Sequence, residues 1–343
     1  MKRNWLIAVT IILLVFNMIG CGKDDPEIGK NNKDEQTEKD EYVKNGIPSP
    51  LSGIYSSEEK VDRRPVAVMF DNHPGARWQS GLKDAEIVYE MVVEYPYTRY
   101  MAIYLINDPV LLGPIRSSRP CFVTTLLEYD PLYVRVGGSE QAKNDIKNLK
   151  VADIDGLTSS NEVFYRYSKT NKKSPHNLYS NMDIIRKTGI ERGYREKGDF
   201  EGFKFNENDT DLNGRIAKNI LIKYNKDNST NYVYDEGEKN YIRYKDGKLH
   251  VDEFDNSPIT AKNIIIQEAK TKTIDDAGRV EIDLVGNGKG IYITNGETVD
   301  ITWSKKNRSS KTYFYDEKGQ ELVLNTGVTW IQVVNTNPDI TIE

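Results

Sequence analysis

The chain has 343 residues, enough for roughly two domains once a targeting segment is set aside. Its formal net charge of −5 is unlike that of a nucleic-acid-binding protein, which would carry a basic patch or stripe. With 21 tyrosines and 10% aromatic residues, its composition is that of folded domains rather than of a disordered chain. It has two cysteines, and Cys21 ends the targeting segment, so we expect no intramolecular disulfide in the mature chain.

Residues 1–20 have the pattern of a signal peptide. A positively charged start precedes an apolar run, residues 5–19, that is too short for a typical membrane-spanning helix. The run ends in MIGC, which resembles the lipobox of bacterial lipoproteins. The resemblance implies cleavage before Cys21, lipidation of Cys21, and a lipid-anchored position on the extracytoplasmic face of the cell membrane. A simple N-terminal anchor is the alternative, and it predicts the same side of the membrane.

Residues 21–60 are predicted to be the lipidated cysteine followed by a tether. The segment is rich in Asp, Glu, Lys, Asn and Ser and has too few apolar residues to bury a core. We therefore expect it to be disordered, which would let the folded domains stand off the lipid surface.

Residues 61–205 predict a mixed-sheet α/β domain. Apolar runs indicate strands over residues 65–70, 86–94, 100–106 and 132–136, and helices are predicted to begin near residues 120, 140 and 181. The second and third strands are expected to form a hairpin. A Gly-Gly pair after the fourth strand resembles a phosphate-binding turn, but helix–strand packing is the favoured alternative because the full dinucleotide fingerprint and the P-loop lysine are absent.

The pattern changes after a Gly-, Asn- and Asp-rich boundary at residues 197–215. Residues 215–343 contain short alternating runs separated by turn signals such as Lys-Asp-Gly and Asn-Gly. Regularly spaced short strands of this kind are typical of an all-β domain. The predicted fold is therefore an α/β domain followed by a smaller β-rich domain.

A candidate ligand site lies in residues 98–120. The stretch carries Arg99, Arg116, Ser117 and Arg119 and leads into Pro120, a residue suited to the first turn of a helix. Backbone N–H groups and the helix dipole favour an anion at such a helix start, and guanidinium groups would strengthen that preference. An anion-binding site is therefore predicted here.

Four further residues complete the predicted site. Asp71 and Arg77 follow the first strand, Glu90 lies on the second, and His176 lies in a basic aromatic loop. His176 is open to three interpretations: general base, anion ligand or structural histidine. The alternative for the whole set is that the arginines pair with Glu90 and Glu94 and only stabilise the fold. No zinc-ligand spacing is present, so no metal site is predicted, and no cofactor is identified.

Several strings of the sequence resemble one family. The string RPVAVMFDNHPGARWQSGLKDAEIVYEMVVE, followed by TRYMAIY, GPIRSSRP and SPHNLY and later by ITWSK and GVTWIQVV, is similar to the YerB-like lipoproteins of Gram-positive bacteria. The resemblance implies an exported, membrane-tethered protein with an N-terminal α/β domain and a C-terminal β domain. It implies no particular reaction.

Three functional hypotheses follow. The first is a binding protein whose arginine-lined site holds an anionic envelope polymer or an envelope protein. The second is an enzyme that transfers or hydrolyses phosphoryl or glycan groups of phosphate-linked envelope substrates, with His176 as base or with a divalent metal on Asp71 or Glu90. The third is a scaffold that recruits a partner through an exposed strand edge of the β-rich domain.

Overall fold

The structure is a computed structural model that describes residues 45–343. The predicted signal peptide and the predicted lipidation at Cys21 lie outside the described residues, as does most of the predicted tether. Within the described part of the chain, no helix has the length and apolar character that a membrane crossing requires.

The first part of the described chain mixes short strands with helices. Its ten strands are β1 (Ile47–Pro48), β2 (Tyr55–Ser56), β3 (Val66–Asp71), β4 (Ile87–Glu94), β5 (Tyr97–Tyr104), β6 (Leu132–Arg135), β7 (Asp153–Asp155), β8 (Tyr165–Arg166), β9 (Leu178–Tyr179) and β10 (Lys204–Phe205). Its four α-helices are α1 (Glu58–Val61), α2 (Pro120–Leu126), α3 (Glu140–Asn148) and α4 (Met182–Glu191). Two 3₁₀ turns follow β3, at Pro74–Ala76 and Leu82–Asp84.

Residues 206–343 contain strands and no α-helix. The fifteen strands are β11 (Arg215–Ile216), β12 (Asn219–Asn225), β13 (Asn228–Asp235), β14 (Asn240–Lys245), β15 (Lys248–Leu249), β16 (Thr260–Ala261), β17 (Asn263–Glu268), β18 (Thr271–Thr273), β19 (Val280–Ile282), β20 (Gly286–Thr294), β21 (Glu297–Lys305), β22 (Thr312–Tyr315), β23 (Val323–Leu324), β24 (Thr329–Val334) and β25 (Asp339–Ile342).

An eleven-stranded central sheet takes strands from both parts of the chain. Its order is β11–β21–β20–β17–β24–β4–β5–β3–β6–β7, with β22 also paired to β21. The two parts meet where β24 and β4 run parallel, with Thr329 opposite Ile87 and Gln332 opposite Glu90. The regions predicted as two domains thus contribute strands to one continuous sheet.

The central strands are apolar on both faces because both faces are covered. Along β3, Val66, Val68 and Phe70 join one buried cluster, whereas Ala67 and Met69 join another. All five residues are fully buried. Strands covered on both sides give continuous apolar runs of this kind rather than an alternating pattern.

A second sheet and the helices provide this cover. The second sheet has the order β15–β14–β13–β12–β25, with β16 paired to β14. Its inward side chains, including Ile220, Ile222 and Tyr232, belong to the same buried cluster as Val66, Val68 and Phe70 of β3. Phe122 of α2 and Ile146 of α3 belong to the other cluster. The central sheet is therefore the middle layer of the described chain.

Buried charges connect the two sheets. Glu90 of β4 is completely buried, with Arg243 Nη2 2.5 Å from Oε2 and Lys245 Nζ 3.0 Å from Oε1. The hydroxyls of Thr98 and Thr230 also donate to this carboxylate, at 2.7 and 3.1 Å. Burial by itself raises the pKa of Glu90, but Lys245 and Arg243 outweigh it and lower the pKa to about 2. Glu90 is not accessible to a ligand, which corrects its place in the predicted site.

The last part of the predicted tether is folded. Residues 45–60 contain the antiparallel pair β1–β2 and helix α1. The hydroxyls of Ser49 and Ser52 are buried and donate to Oε1 of Glu86, at 2.5 and 2.7 Å, and Oε2 of Glu86 accepts from the Leu105 N–H at 2.6 Å. The composition of the segment predicted disorder because Leu51 is the one fully buried apolar side chain in residues 45–60, and the buried Ser49 and Ser52 depend on a carboxylate elsewhere in the chain.

Replacing Ser49 and Ser52 together with alanine should lower the free energy of unfolding by about 3 kcal/mol, because the buried Glu86 carboxylate loses two donors. Denaturant titration of the purified chain measures the change. Ser57→Ala is the matched control, since this exposed serine makes no side-chain capping bond, and it should change stability by less than about 0.5 kcal/mol. Equal effects of the two changes would contradict the folded assignment of residues 45–60.

Glu90→Gln should cost about 3–5 kcal/mol of unfolding free energy, because it leaves Arg243 and Lys245 buried without their counter-charge. The folded-state pKa of Glu90 is lowered, so the stabilisation is present above the unfolded value of 4.5 and is lost as pH falls from there toward about 2. Denaturant titrations across this pH range should show the loss in the parent chain and not in the variant.

Asp300→Asn, which removes an exposed partner of Arg215, is the control for Glu90→Gln and should cost less than about 1 kcal/mol. A Glu90→Gln chain as stable as this control would show that the buried pairs do not hold the two sheets together.

Candidate functional site

The candidate site lies at the carboxyl end of β3. Asp71 is the last residue of that buried strand and lies directly opposite Arg99 of the neighbouring strand β5. The loop before α2 brings Arg116 to Asp71, and the loop between β8 and β9 brings His176. A rigid strand therefore fixes the carboxylate while two loops supply the residues around it, which is a common arrangement of binding sites.

Asp71 is the centre of the site. Its side chain is almost fully buried, and Oδ2 lies 2.8 Å from Nδ1 of His176 and 3.2 Å from Nε of Arg116. Oδ1 accepts a hydrogen bond from the backbone N–H of His73 at 3.0 Å. The carboxylate thereby holds the His176 ring with Nε2 directed away from it. We call Asp71, His73, Arg116 and His176 the Asp71 site.

Three aromatic rings stand side by side at the Asp71 site. The rings of His73 and His176 are stacked, with centroids 4.5 Å apart and planes within 10° of parallel, and the Tyr97 ring lies 4.9 Å from His73. Nδ1 of His73 accepts from the Gly75 N–H at 3.0 Å. Burial lowers the pKa of His73 below 6.5, and His176 lowers it further. Neutral His73 therefore offers a flat ring rather than a charge at neutral pH.

Arg116 is the guanidinium with open donors. Its Nε is buried close to Asp71 but makes no hydrogen bond of good geometry, and its terminal nitrogens have no hydrogen-bond partner among residues 45–343. The backbone N–H of Arg116 donates to the carbonyl of Met69 at 2.9 Å, which fixes its position beside β3. About a quarter of the side chain is exposed. A partly exposed guanidinium with unmet donors is suited to an anionic ligand.

Arg99 and Arg119 share one carboxylate. Arg99 Nη2 lies 3.0 Å from Oε2 of Glu94, and Arg119 pairs with Oε1 of the same side chain. Their remaining donors reach the carbonyls of Ser117, at 2.8 Å, and Ser118, at 2.7 Å. Burial lowers the pKa of Arg99 to about 10, and the like charge of Arg119 acts in the same direction. These two arginines therefore pair with Glu94, as the alternative of a purely structural role predicts.

Arg77 is committed to holding a loop. Its Nε and Nη2 donate to the side chain and carbonyl of Asn72, at 3.1 and 3.2 Å, and Nη1 lies 2.5 Å from Asp246 in the turn after β14. The structure therefore joins Asp71, Arg116 and His176 directly and leaves the other predicted residues in separate roles. Arg99 and Arg119 pair with Glu94, and the Ser117 carbonyl accepts from Arg99. Arg77 pairs with Asp246, and Glu90 lies in the buried cluster between the sheets.

Sequence reasoning did not assign site roles to His73 and Tyr97. A signal for His73 exists, since it lies in the polar run directly after β3, two residues from Asp71. Tyr97 gives no such signal, because its contact with His73 depends on how the β4–β5 hairpin turns. Cys121, two residues after Arg119, is buried, and burial raises the pKa of its thiol to about 12, so it is not a ready nucleophile.

The chemistry available at the site is anion binding and proton transfer. Arg116 supplies donors, and His176 is oriented by a buried carboxylate in the manner of a general base. Across residues 45–343, no three His, Cys, Asp or Glu side chains are placed to hold a metal ion. The metal-dependent form of the enzyme hypothesis therefore gains no support from Asp71 or Glu90.

Comparisons with known proteins cover nearly the whole chain. Residues 51–195 match the N-terminal domain, and residues 220–331 the C-terminal domain, of a family described as "Protein of unknown function (DUF3048)". YerB, a candidate lipoprotein of Bacillus subtilis (strain 168), is 31% identical over an alignment of 343 positions that covers 98% of this chain and 96% of YerB. The crystal structure of YerB from Bacillus subtilis matches with a TM-score of 0.78 and 32% identity, covering 86% of this chain and 100% of that one. This sheet-rich chain with its two domains belongs to the YerB-like family, defined by the N- and C-terminal DUF3048 domains.

Proposed function

We propose that the chain is a membrane-tethered extracytoplasmic lipoprotein that binds an anionic ligand of the cell envelope at the Asp71 site. The sequence before Cys21 and the lipoprotein name of the relative YerB support the tether. Phosphate-bearing envelope polymers are the favoured ligand class, because one polymer presents many copies of the phosphate that this site would bind.

The open donors of Arg116 carry this proposal. Arg77, Arg99 and Arg119 are occupied by acidic or carbonyl groups, whereas the terminal nitrogens of Arg116 have no such partner in the described chain. An anion would accept from these nitrogens while Asp71 holds the Nε side of the guanidinium. Arg99 and Arg119 share one carboxylate, so one net positive charge remains beside the ligand.

Arg116→Gln should weaken binding of a phosphodiester-linked polyol polymer about tenfold or more, because one charge-assisted contact to each bound phosphate is lost. Isothermal titration calorimetry at low salt would measure the affinity. Rising salt should weaken polymer binding by the parent chain more than binding by the variant. Arg215→Gln is the matched control, since this exposed arginine pairs with Asp300 and with no other carboxylate among residues 45–343. Equal affinities of parent and Arg116→Gln would overturn the proposal.

A second candidate function, hydrolysis of a phosphodiester, is favoured by one contact. The 2.8 Å bond from His176 Nδ1 to buried Asp71 leaves Nε2 as the basic nitrogen. Nε2 would take a proton from water as the water oxygen attacks phosphorus and the P–O bond to the leaving group breaks. The departing alkoxide would take a proton from solvent water, and His176 would return its own to solvent. Arg116 would stabilise the charge that develops on the phosphoryl oxygens.

For this second function, His176→Gln should reduce product release at least 100-fold, because the water would have no base. Asp71→Asn should act similarly, since a neutral amide no longer holds the imidazole as a proton acceptor. Release of alcohol or phosphate from phosphodiester-linked envelope substrates would be measured by chromatography. If the parent chain binds these substrates and releases nothing, the site binds without turnover.

A further inference from the structure

A cleft of about 520 Å³ lies between helices α2 and α3 and the hairpin formed by β18 and β19. The aliphatic part of its lining comes mainly from the β18–β19 hairpin and the residues that follow it. Ile274 is 51% exposed and Val285 43% exposed, and Val280 and Ile282 are half-buried beside them. Aliphatic side chains exposed together in a concave region are typical of a binding surface.

The cleft adjoins the arginines beside the Asp71 site. Arg119 lines the cleft and pairs with Glu94, the carboxylate that also holds Arg99. Arg279, from the β18–β19 hairpin, lines the cleft as well and forms a backbone bridge to Glu94. Arg119 therefore connects the arginines beside the Asp71 site with the aliphatic part of the cleft.

The charges around the cleft limit what can occupy it. Three arginines and four carboxylates line it. Each arginine is already paired, Arg119 with Glu94, Arg279 with Asp275 and Arg308 with Asp145. The carboxylates of Glu281 and Asp283, in contrast, form no ion pair among residues 45–343. These groups would repel a polyanion lying along the cleft or an anionic bilayer pressed against it. They leave an uncharged chain as the suitable occupant, and no aromatic ring lines the cleft to stack on a sugar.

We propose that the cleft takes the aliphatic chain of a single anionic amphiphile whose phosphate head binds the open donors of Arg116, close to the paired Arg99 and Arg119. The placement of the phosphate head rests on the function proposed above, whereas the placement of the aliphatic chain rests only on the cleft. The ligand class is thus narrowed from envelope anions in general to those that carry an aliphatic chain, such as a lipid phosphate. The predicted anchor at Cys21 would keep the cleft near a source of such molecules.

The test compares ethyl phosphate with decyl phosphate, kept below the concentration at which it forms micelles, on the whole chain by calorimetry. Decyl phosphate should bind at least tenfold more tightly, because its methylene groups leave water for the cleft. Val285→Asp should abolish this advantage without changing the affinity for ethyl phosphate. Val110→Asp, at a valine that is 65% exposed away from the cleft, is the matched control and should change neither affinity.

The outcomes separate the two proposals. If ethyl phosphate binds through Arg116 and decyl phosphate binds no more tightly, the cleft proposal is wrong and the anion site stands. If decanol binds as tightly as decyl phosphate, the head and the chain are not coupled and the cleft proposal is again overturned. Retention of the decyl advantage in both Val285→Asp and Ile274→Asp would also overturn it. If Arg116→Gln leaves ethyl phosphate binding unchanged, the proposed function fails instead.

Discussion

The packing of the two sheets depends on the contact of Glu90 with Arg243 and Lys245. These three charges are fully buried, so their desolvation is costly and is offset only because each is paired. Arg243 also lies over the rings of Trp330 and Tyr100, at 4.3 and 5.2 Å from their centroids. Apolar packing alone would tolerate several placements of β14 against β4. A buried carboxylate that must meet two fixed cations allows only one placement. We therefore regard these pairs as a determinant of how β14 is positioned against β4.

The same cluster supports the Asp71 site through a short series of hydrogen bonds. Arg243 Nη1 lies 2.5 Å from Nδ1 of His250, and Nε2 of His250 lies 2.9 Å from Oε1 of Gln79. The Gln79 amide in turn donates to the carbonyl of Asp71 at 2.8 Å. Burial and the charge of Arg243 lower the pKa of His250 well below 6.5, so its neutral ring accepts at Nδ1 and donates at Nε2. Charges between the sheets thereby fix the backbone on which the site is built.

Local features of the fold could be predicted from the sequence, and features that depend on distant partners could not. The apolar run of residues 65–70 became β3, Pro120 is the first residue of α2, and Ser139 caps α3 by accepting from a backbone N–H. These signals depend on neighbours within one turn or strand. The role of Glu90 depends on residues more than 150 positions away, and the order of residues 45–60 depends on Glu86, so neither carries a local signal.

The candidate site shows the same division. The sequence indicated which cations gather near the helix start, but only the geometry shows how two carboxylates are shared among them. Glu94 pairs with Arg99 and Arg119. Asp71 pairs with His176 and with the Nε side of the Arg116 guanidinium. Because these pairs nearly cancel, the site attracts a small free anion only weakly. A ligand that bound here would have to gain affinity from something besides one charge, and the aliphatic chain that we propose would supply it.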